Sequence, residues 1–524
     1  MPLDIFGDFG FVGGDNEAAS RYFDCQQTIN YYPEVSPSRT SKEVVALLGC
    51  PGLIQVAAAP GGGAPGYSTS MTAWPQPSAV TNLPVRALWV LPGEKTALAV
   101  IGNVCYLVTI VTYGSSTTPG KLALTQVGTL ASNTGPVCIR DNGIQGGMAV
   151  LVDGPNGYLY GLASQSFKKI TDPNFLGATR VAYIDGWWIF NWPQTAAFYT
   201  PQAPYSEVFD ASFFSLKDAF SDLLVGIMES KEELWLIGEE TSEIWYNAGS
   251  QFFSFQRLVG TLLQVGCKSP FSIARFSRGG EDGLIWLGRS DRGENIVVAT
   301  RGLSYEVVST PAVSDAIAQL VTTSDAIGYT YQEDTHEFYV LTFPTADVTW
   351  VYDASMPPAL AWHQRPSYDP YAQLFHRHRS NCYMNFAGMR VVGDYQNGAL
   401  YQMTRAVQND AGWPLLARRR APHIWKRQSR QRVFMSSLQV DFAPGQGAQS
   451  GLGANPQVSL RISRDGGTTF GNAFKSPMGA VGQYQNRTLW RRLGWGRDNV
   501  AEIEVIAPVN RDIIGATLKA FGEA

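Results

Sequence analysis

The sequence predicts an all-β protein: a β-propeller of six or seven blades with an N-terminal extension and a C-terminal β-sandwich. The 524 residues include 53 glycines and 30 prolines, which separate strands, and 12% are aromatic, which suits half-buried sheet surfaces. A β-rich unit recurs at intervals of about 43 to 55 residues through the middle of the chain. That period is typical of propeller blades.

The first element is an N-terminal extension, residues 1–80. It contains a run of alanine, proline and glycine at 57–66. Such small residues cannot bury a core, so this run predicts a loop or linker. The first 14 residues have no basic start and no long apolar stretch, so we expect no signal peptide.

The second element is the propeller, residues 81–407. Each repeat joins two β-rich runs through a turn with Gly, Asn or Asp, as Asp185-Gly186 does within 181–190. One blade cannot bury its two faces, whereas a ring of blades hides them. A pair of β-sandwiches is the alternative, and short helices are expected at 215–224 and 314–320. The blades are predicted to begin near Arg86, Val137, Val181, Leu224, Ser272, Ile327 and Cys382.

One uncharged stretch, residues 96–113, is long enough to be considered as a membrane span. Gly102-Asn103 interrupts it between two β-rich runs, which predicts a hairpin and no membrane anchor. The six cysteines are widely spaced without a C-x-x-C pair. We therefore expect free thiols in a protein that folds in a reducing compartment.

The third element, residues 408–524, is predicted to be a β-sandwich behind a basic junction segment. Alternating runs at 437–442, 458–463 and 501–506 read as its strands. The basic residues either contact DNA phosphates without reading sequence or meet acidic residues of a neighbouring subunit. Because the net charge is −4, any DNA contact must be local or weak. The candidate contact residues are Arg418, Arg419, Arg420, Lys426, Arg427, Arg430 and Arg432.

Candidate catalytic and metal-binding groups each have a simpler structural interpretation. Residues 463–470 match the Asp-box hairpin, whose Asp and Thr side chains cap a turn. His376, His378 and Cys382 lack further ligands at the spacing of a metal site. Adjacent carboxylates at 232–233, 239–240 and 281–282 would point to opposite faces of a strand. We expect no catalytic residue, metal or cofactor.

Short motifs along nearly the whole chain resemble the packaged-DNA stabilisation, or tail nozzle, family of short-tailed bacteriophages. Those near the N-terminus are CQQTINYYPE at 25–34 and LLGCPGL at 47–53. Those of the middle and the end are EIWYNAG (243–249), FSFQR (253–257), GCKSP (266–270), IWLG (285–288), WVYD (350–353), WHQR (362–365) and RRLG (491–494).

This resemblance implies a structural virion protein without catalytic residues. It implies a homohexameric ring below the portal and its adaptor proteins, around a channel that holds packaged double-stranded DNA without sequence specificity. It also implies docking surfaces for tail fibres or spikes, assembly in the bacterial host cytoplasm and a final location in the virion tail.

Two other functions remain open on the sequence. The first is a phage-tail polysaccharide hydrolase built on the propeller, which requires two or more convergent carboxylates in a cleft. The second is a soluble propeller that acts as a protein-interaction module, which predicts a stable monomer outside the virion.

Overall fold

The chain folds into a seven-bladed β-propeller joined to a β-sandwich, which confirms the predicted all-β class. This computed structural model describes residues 4–6, 9–38, 43–66, 68–76, 81–115, 118–250, 253–426 and 431–522. The first strands of neighbouring blades pack around a common axis, and blade 7 packs against blade 1. The ring is therefore closed.

Blades 1 to 4 are four-stranded antiparallel sheets. Their strands are, for blade 1, Val85–Val90, Thr96–Ile101, Val104–Thr112 and Lys121–Thr129; for blade 2, Cys138–Asp141, Met148–Val152, Gly157–Gly161 and Phe167–Lys169; for blade 3, Val181–Ile184, Trp187–Asn191, Ala197–Pro201 and Phe209–Leu216; and for blade 4, Leu224–Ser230, Glu233–Gly238, Ser242–Asn247 and Phe255–Arg257.

Blades 5 to 7 follow the same plan, with one additional short strand in blade 5. Their strands are, for blade 5, Gly266–Cys267, Ala274–Arg278, Glu281–Ser290, Gly293–Arg301 and Ser304–Val307; for blade 6, Ile327–Glu333, His336–Phe343, Val348–Asp353 and Trp362–Gln364; and for blade 7, Ser380–Phe386, Met389–Asp394, Ala399–Thr404 and the N-terminal strand Gly52–Ala58.

Blade 7 is completed by the N-terminal strand Gly52–Ala58, which we call the closing strand. It pairs antiparallel with Ala399–Thr404, so that Thr404 lies opposite Gly52. A Cβ atom at Gly52 would lie 2.4 Å from the Val407 carbonyl oxygen. Only glycine, which has no Cβ atom, fits there without a clash. The N-terminal region thus supplies the outer strand of the last blade.

The sandwich also takes strands from the N-terminal region. Gln27–Ile29 lies between the outer strand of blade 6 and Ala417–Arg420, which makes blade 6 and one sandwich sheet continuous. That sheet continues through Asp498–Val505, Gln457–Ser463 and Phe474–Pro477, with Ile424–Trp425 paired beside it. The facing sheet contains Asp4–Phe6, Tyr31–Val35, Val45–Gly49, Ile513–Gly522, Val433–Phe442 and Thr488–Gly496.

The remaining elements are short. An α-helix follows blade 5, at Pro311–Ala318, and begins at Thr310, whose side chain accepts a hydrogen bond from the Val313 amide. Two 3-10 helices lie at Pro270–Ser272 and Gly451–Gly453. Short strand pairs are Ser367–Asp369 with Leu374–His376 and Asn409–Asp410 with Trp413–Pro414.

The predicted blade starts all lie within two residues of the start of the innermost strand of each blade, which in blade 5 is Ala274–Arg278. The hairpin predicted at 96–113 is present, with Gly102-Asn103 as its turn. No helix in the described ranges is long and apolar enough to cross a membrane. The boundaries at residues 80 and 407 remain a proposal, because the sheets combine strands from both sides of each boundary.

One predicted helix is wrong. Residues 215–224 end the strand Phe209–Leu216 and then form a loop. The ammonium group of Lys217 is buried there; it pairs with Asp222 and donates to Thr241 Oγ1 at 2.7 Å. Asp222 also accepts the backbone N–H groups of Glu240 and Thr241. The backbone N–H groups of Lys217 and Ala219 donate to the Ala196 carbonyl oxygen and to Glu243 Oε1, each at 2.9 Å, so they are not used in a helix.

Candidate functional site: an arginine patch and an acidic funnel

The three consecutive arginines of the basic segment lie within the protein rather than on a free surface. They form the strand Ala417–Arg420, where side chains alternate between faces. Arg418 pairs with Glu504 at 2.6 Å, and Arg420 pairs with Glu502 at 2.9 Å on the neighbouring strand. Both contacts are with carboxylates of the same chain.

Arg419 points to the opposite face and is fully buried. Its Nε donates to the Phe11 carbonyl oxygen at 2.6 Å, and its Nη1 donates to the Gly14 carbonyl oxygen at 3.0 Å and to Thr28 Oγ1 at 2.8 Å. Burial lowers the pKa of Arg419 to about 10, so it remains charged at neutral pH. Arg419 therefore holds the N-terminal segment against the sandwich.

The other predicted contact residues divide into described and undescribed ones. Arg427 and Arg430 lie outside the described residues. Lys426 donates a hydrogen bond to Gln431 Oε1 at 3.4 Å. Arg432 is half-buried, with its guanidinium group 4.1 Å from the centre of the Trp495 ring. Whether any of them touches DNA or another subunit remains a prediction.

Arg432 belongs to a surface that we call the arginine patch: Arg432, Arg464, Trp495 and Arg497. These side chains line a cavity of about 600 Å³ with Gly494 and Gly496, and no carboxylate is among these lining residues. Arg464 Nη2 donates to the Leu493 carbonyl oxygen at 2.9 Å, which fixes its position. Trp495 is 46% exposed. Exposed Trp and Arg together are typical of protein interfaces.

The segment-based prediction included Arg432 but missed Arg464, Trp495 and Arg497. Arg464 follows the strand Gln457–Ser463 and Arg497 precedes the strand Asp498–Val505, so the patch forms only because these two strands pair. The pairing of Phe434 with Trp495 brings Arg432 beside that strand. The sequence offered one signal for this surface: the consecutive arginines at 491 and 492, which lie on the same strand as Trp495.

The propeller axis is crossed by charged side chains. Arg140 of blade 2 reaches Glu229 of blade 4, with its Nε 3.1 Å from Oε1, and Arg275 of blade 5 pairs with the same carboxylate. Arg180 Nη2 donates to the Ile273 carbonyl oxygen at 3.1 Å. Side chains of blades 2, 4 and 5 therefore occupy the centre of the propeller.

On one side of these ion pairs the axis opens into a cavity of about 690 Å³, which we call the acidic funnel. Burial raises the pKa of Glu337, and nearby Asp282 raises it further. Two of the predicted carboxylate pairs each contribute one member to the funnel. Its charged lining residues are Asp185, Glu229, Lys231, Glu232, Arg275, Asp282 and Glu337.

The Asp box is a folded turn. Asp465 Oδ1 accepts the Thr469 amide at 2.9 Å, and Oδ2 accepts the Thr469 hydroxyl at 2.6 Å. Burial raises the pKa of Asp465, but hydrogen bonds from Ser463 and Thr469 outweigh this and lower it to about 2. The carboxylate is therefore used to hold the backbone.

The candidate metal ligands point to different partners. His376 Nδ1 lies 2.6 Å from Asp347 Oδ2, and buried His378 lies 2.6 Å from Ser380 Oγ through Nδ1. Burial lowers the pKa of His378 well below its usual range and raises that of the Cys382 thiol. No group of three or more His, Cys, Asp or Glu in the described ranges is arranged to hold a metal.

A cysteine, a histidine and an aspartate meet beneath the Asp box, a grouping that the sequence did not suggest because Cys25 and His423 are far apart in the chain. His423 Nδ1 lies 2.7 Å from Asp498 Oδ1, and Nε2 lies 2.8 Å from the Arg21 carbonyl oxygen. Hydrogen bonds with Asp498 and Cys25 raise the pKa of His423 to about 10. The Cys25 thiol is fully buried. Since both imidazole nitrogens are engaged and the thiol is shielded, this group fastens the N-terminal segment.

Comparisons with known proteins agree with this architecture. A family model described as "Bacteriophage P22 Gp10, beta-propeller" matches residues 93–408, and one described as "Bacteriophage P22 Gp10, beta-sandwich" matches residues 421–519. No curated protein sequence gives a significant match.

Two similar solved structures illustrate how far the structural likeness extends. The extracellular domain of a one component system from B. thetaiotaomicron is 9% identical with a TM-score of 0.39, over 64% of this chain and 40% of that one. PorZ from Porphyromonas gingivalis is 10% identical with a TM-score of 0.35, over 70% of this chain and 44% of that one. This chain thus spans less than half of either protein, and at these scores neither bears on its function.

Proposed function

Because the chain belongs to the bacteriophage P22 Gp10 family, it is a structural protein of the phage tail and DNA-stabilisation class, and we propose that it is the tail nozzle subunit of a short-tailed phage. Six copies form a ring below the portal and its adaptor proteins. The ring encloses the DNA exit channel, retains the packaged genome and carries tail fibres or spikes on its outside. The protein assembles in the host cytoplasm and functions in the virion tail.

The observation that carries this proposal is the match of both domains, in order, to one structural phage family. The blocked propeller axis supports the ring. Since the Arg140–Glu229 pair closes the axis of one subunit, a DNA channel must lie between copies. A closed ring of identical subunits requires two different surfaces on each copy that fit each other.

Within this ring, the arginine patch is the proposed contact with a neighbouring subunit. Three guanidinium groups around an exposed Trp495 form a surface that fits a carboxylate-rich partner. The acidic funnel of a second copy has the complementary charge. A basic channel wall would hold DNA, because each phosphate contact adds affinity. The arginine patch is therefore better suited to a subunit contact than to a channel wall that must release DNA quickly.

The decisive experiment is cryo-electron microscopy of the virion tail. We expect six-fold density below the portal that accepts the propeller and the sandwich, with DNA between subunits rather than along a propeller axis. A peripheral trimer, or absence of the chain from the particle, would refute the nozzle assignment. The same map identifies the surface on which fibres or spikes dock.

The subunit contact is tested separately with charge reversals. Arg464→Glu with Arg497→Glu is expected to abolish ring formation in sizing experiments. Because Arg464 also donates to backbone carbonyl oxygens, Arg497→Glu alone, which is expected to weaken ring formation at an unchanged melting temperature, separates lost association from lost stability. Arg292→Glu is the control for a charge reversal outside the patch. Arg292 is exposed, and its ion pair with Asp291 is long, at 3.9 Å, so its loss should not affect folding. If the doubly reversed protein still forms rings but loses salt-dependent DNA binding, the patch contacts DNA instead.

A second candidate function is favoured by the acidic funnel, in which several carboxylates converge. A glycosidase needs two carboxyl groups in one cleft; Glu337 and Asp282 both line the funnel, and burial raises the pKa of Glu337. Glu229 is neutralised by Arg140 and Arg275 and would not take part. Under the nozzle proposal, wild type and Glu337→Gln both release no sugar from host polysaccharide. Release by wild type that is lost in Glu337→Gln would establish the hydrolase.

A further inference from the structure

Two fully buried arginines converge on one turn where three parts of the chain meet. Arg365 follows blade 6, and its Nη2 donates to the Pro51 carbonyl oxygen at 2.5 Å. Arg511 precedes the last sandwich strand, and its Nη2 donates to the Cys50 carbonyl oxygen at 3.3 Å. The Cys50-Pro51 turn leads directly into the closing strand. Both guanidinium groups are at most 1% exposed.

Several polar atoms around this turn have no hydrogen-bond partner among the described residues. The donors are Arg365 Nη1, Arg511 Nε and Nη1 and the hydroxyl group of Tyr31. Both carboxylate oxygens of buried Asp410 also lack a hydrogen bond of good geometry among the described residues, and the nearby hydroxyl group of Ser367 is a side-chain donor that acts on them. A buried polar group left unpaired costs about 1–3 kcal/mol, and more if it is charged. Something other than these side chains must therefore satisfy them.

The charges around the turn indicate what kind of group satisfies these buried donors. The nearby arginines have their own carboxylates: Arg405 pairs with Asp512 at 2.9 Å, Arg390 with Glu333 at 2.9 Å and Arg379 with Asp394 at 3.5 Å. Arg365 and Arg511 share the carboxylate of Asp410, while Glu333, which also acts on Arg365, is already paired with Arg390. Burial raises the pKa of Asp410, although the three arginines at 365, 379 and 511 act against it. At the Cys50-Pro51 turn itself, two guanidinium groups therefore share one carboxylate, and the local charge is positive.

We propose that this junction binds a small inorganic anion between Arg365 and Arg511, with the Tyr31 hydroxyl group as a third donor. Chloride and phosphate share the chemistry that the site requires, since both accept several charge-assisted hydrogen bonds. The anion joins the closing strand, blade 6 and the sandwich at one point. Bridging water would satisfy the donors but would leave the charge excess in place.

The first test is crystallographic. Crystals of the full chain soaked in sodium bromide are expected to show an anomalous peak between the Arg365 and Arg511 guanidinium groups, and crystals grown in phosphate are expected to show phosphate there instead. Ordered water at that position under both conditions, without an anomalous peak, would overturn the proposal.

The second test is thermal unfolding of the full chain at constant ionic strength, with bromide or phosphate replacing gluconate. The melting temperature is expected to rise with anion concentration and to saturate. Asp410→Asn removes the competing carboxylate and is expected to lower the half-saturating concentration about tenfold. Arg491→Ala removes an exposed arginine of the sandwich and should leave the curve unchanged. Equal half-saturation in wild type and Asp410→Asn would refute binding at this junction.

Discussion

Protonated His336 is expected to fasten the N-terminal segment to blade 6 and to set the upper pH limit of stability. Its ring is 2% exposed and lies between Asp353 Oδ2, at 2.6 Å from Nδ1, and Glu34 Oε2, at 2.5 Å from Nε2. Burial lowers the pKa of His336, but hydrogen bonds and charge interactions with Asp353 and Glu34 outweigh it and raise the pKa to about 9. The imidazolium form is therefore favoured by folding.

The difference between the pKa of His336 in the folded and the unfolded chain sets the sign and size of its contribution to the folding free energy. An ordinary histidine has a pKa of about 6.5, so the difference corresponds to roughly 3 kcal/mol of folding free energy. That contribution is complete below about pH 6.5 and is lost as the pH rises through about 9. His363 acts in the opposite direction, because burial lowers its pKa to about 3. Its contribution is complete above about pH 6.5 and is lost as the pH falls.

The assay compares wild type with His336→Gln by urea unfolding and by hydrogen exchange of the strand Tyr31–Val35. The difference in unfolding free energy should be about 3 kcal/mol near pH 7 and should shrink towards zero near pH 10. His376→Gln is the control, because the His376–Asp347 pair is 39% and 43% exposed and such pairs contribute little. A difference of the same size at both pH values would refute the proposed role of the protonated ring.

Three further predictions concern the closing strand, the N-terminal anchor and the arginine patch. Leu53→Ala removes a fully buried side chain of the closing strand and should lower the unfolding free energy by about 2–5 kcal/mol in urea; a smaller effect would mean that the blade repacks. Arg419→Gln should cost about 3 kcal/mol or more and expose residues 9–26 to protease, whereas unchanged digestion would contradict its anchoring role. Trp495→Ala should weaken subunit association at unchanged melting temperature, and normal ring formation would exclude Trp495 from the contact.

The blades could be predicted because each carries its own signal in consecutive residues. Trp187 and Trp188 follow an Asp-Gly turn, and alternation then assigns them to the two blade faces, where both are buried. The loop at 217–222 could not be predicted, because its stability depends on Thr241, a residue of the next hairpin. The same limit applies to the basic segment. Residue spacing does not indicate that Arg419 would meet the Phe11 carbonyl group, 408 positions away in the chain.

The N-terminal segment explains why the propeller and the sandwich behave as one unit. Gln27–Ile29 pairs with blade 6 on one side and with a sandwich strand on the other, and the closing strand then completes blade 7. Release of residues 9–58 would therefore remove the outer strand of blade 7 and, in the same step, separate blade 6 from the sandwich sheet. The buried groups at 336, 365, 419 and 511 all bond to this segment. Under the nozzle proposal such coupling matters, because a blade that opened independently would loosen the propeller without unfolding the rest of the subunit.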